Sequence, residues 1–147
     1  MHHEIEIQQH AHPSADDMVY LSQQFRAFYD RQCGIFPSKE LNLFVYVPDK
    51  EIIGGLRGDI SWGWLHVDVL WVAAAHRQDG IGTSLMDRAE AEACAMDVHQ
   101  AYLETTDFQA LGFYEKRGYQ VFAQLDDQPP KHICYYMKKI FPSQNGD

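Results

Sequence analysis

The sequence predicts an α/β fold of the α+β type, in which a mixed and mostly antiparallel central sheet of about seven strands carries helices on both faces. Two observations support this fold class. Residues 41–72 form a run of β-branched and aromatic residues interrupted by short turns, which is typical of consecutive antiparallel strands. After residue 72, helical and strand patterns alternate, which indicates right-handed crossovers and some parallel pairing.

Length and composition indicate one folded domain over residues 1–147, because 46% of the residues are hydrophobic and no tract is of low complexity. No apolar run approaches the ~18 residues of a membrane helix, and the N-terminal MHHEIEIQQHAH lacks the apolar segment of a signal peptide. We therefore expect a cytoplasmic protein with no membrane partner. Three widely spaced cysteines favour reduced thiols.

The net charge limits the classes of partner. Twelve Lys and Arg residues stand against 21 Asp and Glu residues, a formal charge of -9. This charge repels the phosphate backbone of nucleic acids, so we expect no nucleic-acid partner. The same field favours a cationic ligand.

The first 40 residues contain a strand pattern and a helix pattern. EIEIQQ alternates polar and apolar residues, which predicts a first strand. Ser14 followed by Asp17 resembles a capping box and predicts a helix start, and Gly34 supplies a helix end. Between them, apolar residues recur at helical spacing: Met18, Leu21, Phe25, Phe28 and Tyr29.

The next segment predicts a three-strand antiparallel meander: LNLFVYV, EIIGGLRGDI and WLHVDVLWV, joined by PDK and SWG turns. Regular alternation divides the last of these strands into two faces. We expect the first face to be core and the second to be the opposite face. The first face contains Leu65, Val67, Val69 and Trp71, and the second contains Trp64, His66, Asp68, Leu70 and Val72.

The second half predicts a helix, then a strand, a helix and two strands. An apolar stripe over Ile81, Leu85, Ala89, Ala93 and Met96 defines the first of these helices. The segments AYLET, DFQALGFYEKR, YQVFAQ and ICYYMKKI follow in that order. If ICYYMKKI is an exposed edge strand, it could pair across a homodimer.

A glycine turn, HRQDGIGTSL, joins the meander to the central helix. A helix start offers unpaired N–H groups and the positive end of the helix dipole, which together suit a phosphate. The turn lacks the Lys of a GxxxxGK[ST] loop and the third glycine of GxGxxG. It fits R-x-x-G-x-G, although a plain strand-to-helix turn would show the same glycines.

Together, RQDGIG after a strand and DFQALGFYEKRGY after the next strand resemble the GNAT superfamily of acyl-CoA N-acyltransferases. The resemblance covers essentially the whole chain and implies a single N-acetyltransferase domain over residues 1–147. It also implies acetyl-CoA as the cosubstrate and a primary amine, either of a small molecule or of a peptide or protein, as the acceptor. We regard a cationic acceptor as compatible with the acidic charge. A non-catalytic acyl-CoA-binding regulatory module is the alternative.

The resemblance implies two sets of cosubstrate contacts. The backbone of Leu70, Trp71 and Val72 would bind the pantetheine arm where the neighbouring strand separates. The backbone of the turn would bind the pyrophosphate through Arg77, Gln78, Asp79, Gly80, Ile81, Gly82 and Thr83. Asp107 stands where relatives have a pantetheine-binding Asn, so either Thr105 or Thr106 could replace that contact, or Asp107 could cap the next helix.

Four residues are candidates for catalysis. The resemblance places Tyr114 as the general acid for the leaving thiolate, and the alternative is an aromatic side chain packed beside Phe113 and Phe108. His66 could accept the amine proton, with Asp68 orienting it or binding the acceptor, and Glu104 is the other candidate base. A solvated strand face would show the same polar residues. No HExxH or CxxC spacing accompanies His2, His3, His10 and His12, so we expect no metal.

Overall fold

The structure is a computed structural model that describes residues 3–142. The chain divides into two compact units, Met1–Phe36 and Pro37–Asp147. In the first unit, residues 3–10 form no regular secondary structure, and Ile5 and Ile7 are almost fully exposed. The strand predicted from EIEIQQ is therefore wrong. Alternation stabilises a strand only where a ladder of backbone hydrogen bonds forms beside it.

The first unit contains one helix, α1 (Ala15–Cys33). The Ser14 side chain accepts a hydrogen bond of 3.1 Å from the Asp17 N–H, which confirms the predicted helix start. Gly34 ends the helix at a φ of 83°, a conformation that favours glycine. The apolar residues at helical spacing, including Met18 and Leu21, are exposed.

The second unit contains a six-stranded sheet and two helices. Strand and helix bounds are as follows: β1 (Lys39–Tyr46), β2 (Ile52–Ser61), β3 (Trp64–Val72), α2 (Ile81–Ala95), β4 (Gln100–Thr106), α3 (Leu111–Lys116), β5 (Gln120–Asp126) and β6 (Ile133–Ile140). The predicted meander and the predicted element order after it are confirmed. The helix predicted over DFQALGFYEKR is shorter, because residues 107–110 form a turn.

The strand order is β1-β2-β3-β4-β6-β5, and every neighbouring pair is antiparallel except the parallel pair β3 and β4. The mixed, mostly antiparallel sheet is confirmed, with six strands instead of about seven. ICYYMKKI is β6, and it pairs with β4 on one side and β5 on the other. It is not an exposed edge, so the predicted homodimer pairing through this strand is wrong. β1 and β5 form the edges.

The core lies between α2 and the first three strands. α2 packs against β1, β2 and β3, and three of its buried residues lie on the predicted stripe: Leu85, Ala89 and Ala93. Met86 is buried as well, although the predicted stripe did not include it. Leu65 and Val67 of β3 and Leu103 of β4 meet this stripe in the same buried cluster. Burial of these side chains is the main stabilising contribution to the unit.

A β-bulge in β3 reverses the predicted alternation. Val67 pairs with Gly58 and Val69 pairs with Arg57, so Asp68 is an extra residue between them. Beyond the bulge, Val69 is 42% exposed and Trp71 is 48% exposed, whereas Leu70 packs against the core. The prediction that Val69 and Trp71 belong to the core face is therefore wrong, because one inserted residue shifts later side chains to the other face.

Gly58 allows the strands to approach closely at this bulge. A Cβ at this position would lie 2.3 Å from the backbone carbonyl oxygen of His66, closer than any side chain can come. The absence of a side chain therefore fixes where β2 and β3 shift their pairing.

A charged cluster joins α2 to the C-terminal strands. The Glu90 carboxylate accepts hydrogen bonds from the Tyr119 hydroxyl at 3.1 Å, from Lys139 Nζ at 2.9 Å and from the Arg117 guanidinium. Asp87 accepts a further hydrogen bond from Arg117. These contacts hold the helix that follows the glycine turn in a fixed position.

Candidate active site

The glycine turn leaves the start of α2 open to a ligand. β3 ends at Val72, one 3-10 turn covers Ala74–His76, and α2 begins after Gly80. Gly80 has a φ of 79°, which favours glycine, and no side chain caps the helix. The first turn contains no acidic residue. The N–H groups at this helix start therefore suit a phosphate, as the sequence predicted for residues 77–83.

Two side-chain positions shape the turn. Arg77 Nε donates to the backbone carbonyl of Val72 at 3.2 Å, which ties the turn back to the end of β3. A Cβ added at Gly82 would lie 3.5 Å from Phe113 of α3. α2 and α3 approach each other here, which leaves little room for a larger side chain at Gly82.

β3 and β4 separate next to the turn. Their parallel pairing covers only Leu65–Val67 and Ala101–Leu103, although β3 continues to Val72 and β4 to Thr106. The predicted separation is confirmed. Leu70, Trp71 and Val72 pair with β2 on one side only, so their backbone groups on the β4 side have no ladder partner. An extended amide-containing chain fits such an opening.

Tyr114 lies on α3 and is 5% exposed. Its ring packs edge-to-face against Phe113 at 5.2 Å and Tyr119 at 5.8 Å between ring centroids. Burial raises the pKa of the Tyr114 hydroxyl to about 12, although the nearby Arg117 charge acts in the opposite direction. The hydroxyl therefore keeps its proton across the physiological pH range.

Two of the sequence-predicted candidates come together. His66 Nε2 lies 2.9 Å from a Glu104 carboxylate oxygen, and His66 Nδ1 lies 3.8 Å from an Asp59 carboxylate oxygen. The imidazole also stacks on Tyr102, with 4.5 Å between ring centroids. His66 and Glu104, which the sequence offered as alternatives, form one pair where β3 and β4 begin to separate.

Asp68 does not contact this pair directly. Its carboxylate accepts a hydrogen bond of 2.9 Å from Arg57, and both side chains are largely exposed. Sequence reasoning overlooked Arg57. The predicted meander already placed Arg57 on the strand next to β3, but the bulge that brings Arg57 beside Asp68 was not predicted.

Asp107 holds a loop instead of capping α3. Its carboxylate accepts hydrogen bonds from His132 Nδ1 at 2.9 Å and from the Ile133 N–H at 3.3 Å. α3 begins at Leu111, and its N-cap is Ala110, so the predicted capping role is wrong. The reason is tertiary, since the start of β6 lies closer to the Asp107 carboxylate than the start of the helix does.

Of the two threonines proposed as replacements for the customary Asn, one is already engaged. The Thr105 hydroxyl accepts a hydrogen bond of 3.3 Å from the Ala110 N–H. Thr106 Oγ1 is buried without a partner among residues 3–142. Thr106 is thus the better placed of the two to bind a ligand amide.

Two adjoining cavities open on the three-strand meander, and His66 lines the first of them. The first, of about 300 Å³, is lined by Glu40, Asn42, Arg57, Gly58, Asp59, His66 and Asp68. The second, of about 260 Å³, is mostly apolar and includes Phe44, Val69 and Trp71. Both cavities share Asn42 and Arg57. Three carboxylates against one guanidinium make the first cavity, which we call the acidic cavity, attractive to cations.

Residues 4–119 match the Acetyltransferase (GNAT) family. The sequence is 48% identical over 90 residues to the blasticidin-S acetyltransferase of Streptomyces morookaense. The matched region covers 60% of this chain and 66%, just under two thirds, of that relative. It is 36% identical over 103 residues to an acetyltransferase of Agrobacterium fabrum (strain C58), covering 70% of this chain and 75% of that protein.

Solved structures agree with the sequence relatives. An acetyltransferase from Bacillus cereus ATCC 14579 superposes with a TM-score of 0.76 at 26% identity, covering 91% of this chain and 98% of that chain. Fold and sequence thus define an acyl-CoA-dependent transferase class. The chain belongs to the GNAT acetyltransferase family, whose enzymes use acetyl-CoA as the cosubstrate.

Two further observations concern metals and membranes. Within residues 3–142, no group of three His, Cys, Asp or Glu side chains is placed to hold a metal ion. His2, one of the N-terminal histidines considered above, lies outside the described residues. No helix in the described part of the chain combines the length and apolar character that crossing a bilayer requires.

Proposed function

We propose that this protein transfers the acetyl group of acetyl-CoA directly to a primary amine of a small, cationic molecule. One observation carries the proposal. The His66–Glu104 pair lies at the point where β3 and β4 separate, and the same imidazole lines the acidic cavity. A proton acceptor therefore lies between the opening that suits the cosubstrate and a cavity that suits an ammonium group.

The start of α2 and the end of β3 would hold the cosubstrate. The N–H groups from Gln78 to Thr83 offer positive partial charge to the pyrophosphate, whereas the Arg77 N–H already donates to the Ala74 carbonyl oxygen. Gly80 and Gly82 keep this surface free of side chains. The unpaired backbone edge at Leu70, Trp71 and Val72 suits the amides of the pantetheine arm. The unpartnered Thr106 hydroxyl adds a contact on the β4 side.

His66 would act as the general base. When Nε2–H donates to Glu104, Nδ1 is left as the proton acceptor and faces Asp59 and the acidic cavity. The imidazole takes a proton from the incoming ammonium, and the two carboxylates stabilise the imidazolium that forms. The neutral amine then attacks the acetyl carbonyl carbon, and the nitrogen of the tetrahedral adduct loses its second proton to solvent.

Tyr114 would complete the transfer. As the carbon–sulfur bond breaks, the phenol hydroxyl donates its proton to the sulfur, and solvent later restores that proton. Burial keeps the hydroxyl protonated before the reaction because the pKa of Tyr114 is raised to about 12. The same burial leaves a thiolate poorly solvated, which favours protonation of the sulfur even by a weak acid.

The nature of the acceptor is supported by charge and by kinship. The formal charge of -9 and the carboxylates of the acidic cavity favour a cation. The relative from Streptomyces morookaense is named for acetylation of blasticidin S, which supports a small-molecule amine rather than a protein. Blasticidin S is accordingly the first acceptor to test.

The test measures free thiol released from acetyl-CoA across a panel of amines, with the acetylated product identified by mass spectrometry. We expect turnover with at least one cationic amine and a large loss of kcat in His66→Asn and Glu104→Gln. His99→Asn is the matched control, because His99 forms a similar 2.9 Å pair with Asp97 elsewhere. Thermal stabilisation by CoA with no thiol release would favour the non-catalytic acyl-CoA-binding module instead.

A further inference from the structure

The bulge at Asp68 has built an apolar cavity beside the acidic one. Because the extra residue reverses the alternation of β3, Val69 and Trp71 point away from the core and join Phe44 around a cavity of about 260 Å³. Phe44 is 56% exposed, so three large apolar side chains converge on one open site. Exposing such side chains together costs free energy unless a ligand or another apolar surface covers them.

The base of this apolar cavity is backbone. Gly54 and Gly55 line it, and a Cβ at Gly55 would lie 2.9 Å from the Leu43 carbonyl oxygen. With no side chain rising from Gly55, the aromatic ring of Trp71 stands beside an open floor, whereas a Cβ at Gly54 would lie against Ile81 on the core side of the sheet. A flat ring can pack against such a surface, whereas a branched aliphatic group would leave gaps.

The apolar cavity is continuous with the acidic cavity. Asn42 and Arg57 line both, and the Arg57–Asp68 ion pair stands at their junction. His66 and Trp71 are five positions apart on the same strand, which corresponds to roughly 15 Å. Together the two cavities fall within the roughly 300–1,000 Å³ that is usual for small-molecule sites.

We propose that the apolar cavity around Trp71 and Phe44 is a specificity subsite for a planar, apolar portion of the acceptor, carried on the order of 10 Å from the amine that reacts at His66. This inference rests on the proposed function, and it names the acceptor class: elongated amines with a cationic end and a planar ring. The acidic cavity attracts the ammonium end, and the apolar cavity selects the ring.

The kinetic test compares two amines that differ only in the ring, 6-(2-naphthyl)hexylamine and hexylamine. We expect kcat/KM to be roughly tenfold or more higher for the naphthyl compound. In Trp71→Ala and Phe44→Ala this ratio should fall several-fold. Phe122→Ala, which removes an aromatic ring that is also half-exposed but lies on β5, should leave the ratio unchanged.

A binding test separates this inference from the proposed function. The trimethylammonium analogue of the naphthyl amine cannot be acetylated, and its affinity for the CoA-loaded protein is measured by calorimetry. Binding that weakens in Trp71→Ala and Phe44→Ala, but not in Phe122→Ala, supports the subsite even if no amine is acetylated. In that case the proposed function fails and the subsite stands.

Three results would overturn the subsite. The first is equal kcat/KM for the two amines together with no binding of the analogue. The second is a loss in Trp71→Ala that is confined to CoA affinity, because the Trp71 backbone lies at the proposed cosubstrate edge. The third is a wild-type oligomer, seen by sedimentation, that Trp71→Ala or Phe44→Ala dissociates, since the apolar surface would then be covered by a second copy of the chain.

Discussion

At the scale of single residues, Tyr114 combines two properties that sequence reasoning treated as alternatives. Its ring packs against Phe113 and Tyr119, as a core aromatic would, and its hydroxyl keeps the proton that the proposed mechanism requires. Packing and proton donation are compatible, because the burial that fixes the ring also raises the pKa of the hydroxyl. A proton donor must hold its proton until the thiolate forms.

Tyr114→Phe keeps the ring and removes the proton. We expect kcat to fall about 10- to 100-fold with little change in the dissociation constant of CoA, because in the proposed mechanism the hydroxyl acts on the leaving sulfur only during transfer. Steady-state thiol release and CoA calorimetry measure the two quantities. Tyr136→Phe, on β6, serves as the control, and unchanged turnover in Tyr114→Phe would remove Tyr114 from the mechanism.

Gly82 offers a second test at this scale. A Trp side chain at this position would occupy the surface above the first N–H groups of α2 and would press on Phe113, whose ring lies 3.5 Å from an ideal Cβ. We expect Gly82→Trp to weaken CoA binding at least tenfold or so, whereas Gly82→Ala, which makes an ordinary contact, should weaken it far less. Calorimetry measures the affinity, and urea unfolding checks the fold.

If Gly82→Trp unfolds the protein, the fold itself requires a small residue in the turn, and CoA affinity is then compared between the wild type, Gly82→Ala and Gly82→Ser. If Gly82→Trp folds and all three variants bind CoA as tightly as the wild type, a phosphate site at the start of α2 is contradicted.

Sequence reasoning succeeded at this scale where the structure depends on neighbouring residues. The GIG turn and the helix after it follow from neighbouring residues. It failed for Asp107, whose partners His132 and Ile133 are 25 and 26 positions away in the chain. No local pattern predicts such a pairing, because it depends on how β4 and β6 align.

At the scale of secondary-structure elements, the bulge in β3 decides which side chains reach solvent. All six strands of the sheet and the central helix were predicted in the correct places from hydrophobic patterning, because alternation and helical spacing are local properties. The extra residue at Asp68 is not visible in that pattern, since WLHVDVLWV is apolar on both faces after Asp68. Regular alternation therefore assigned Val69 and Trp71 to the wrong face.

Two alanine substitutions test whether the bulge reverses the alternation of buried and exposed side chains along β3. Leu65→Ala removes a fully buried side chain, and we expect the free energy of unfolding to fall by about 2–5 kcal/mol. Val69→Ala lies on the same strand beyond the bulge and should cost less than about 1 kcal/mol. Urea unfolding measures both. Similar losses in the two variants would mean that Val69 is in the core and that the alternation is regular.

At the scale of the whole molecule, the strand order could not be read from the sequence. ICYYMKKI was expected to be an edge, yet β6 returns between β4 and β5. The position of β6 depends on which edge of β4 is still unpaired when the chain returns after α3. This is a long-range property, and hydrophobic patterning describes only local structure. The sheet class was predictable because it follows from element order, whereas neighbours within the sheet were not.

Two buried tyrosines should make the second unit less stable at alkaline pH. Burial raises the pKa of Tyr114 to about 12 and raises that of Tyr119 as well, where the nearby Glu90 charge adds to the effect. Below about pH 10, both tyrosines are protonated whether the chain is folded or unfolded. Above it, the unfolded chain ionises first, so the free energy of unfolding should fall as pH rises from about 10 towards 12.

Urea unfolding at a series of pH values from 8 to 11 measures this loss. Tyr114→Phe should show a shallower decline above about pH 10, because one of the two raised groups is gone. A decline of the same slope in the variant would show that Tyr114 does not contribute to it.

The short parallel pairing between β3 and β4, which we call the seam, also predicts where the second unit opens locally. Only three residue pairs join the meander to the strands that follow, whereas the antiparallel pairs on either side run almost the full length of their strands. Amide hydrogens at this seam should exchange with deuterated solvent sooner than those within β1–β3, because local opening there breaks the fewest bonds. CoA lying in the opening would bridge both edges, so the same amides should gain the largest protection when it binds.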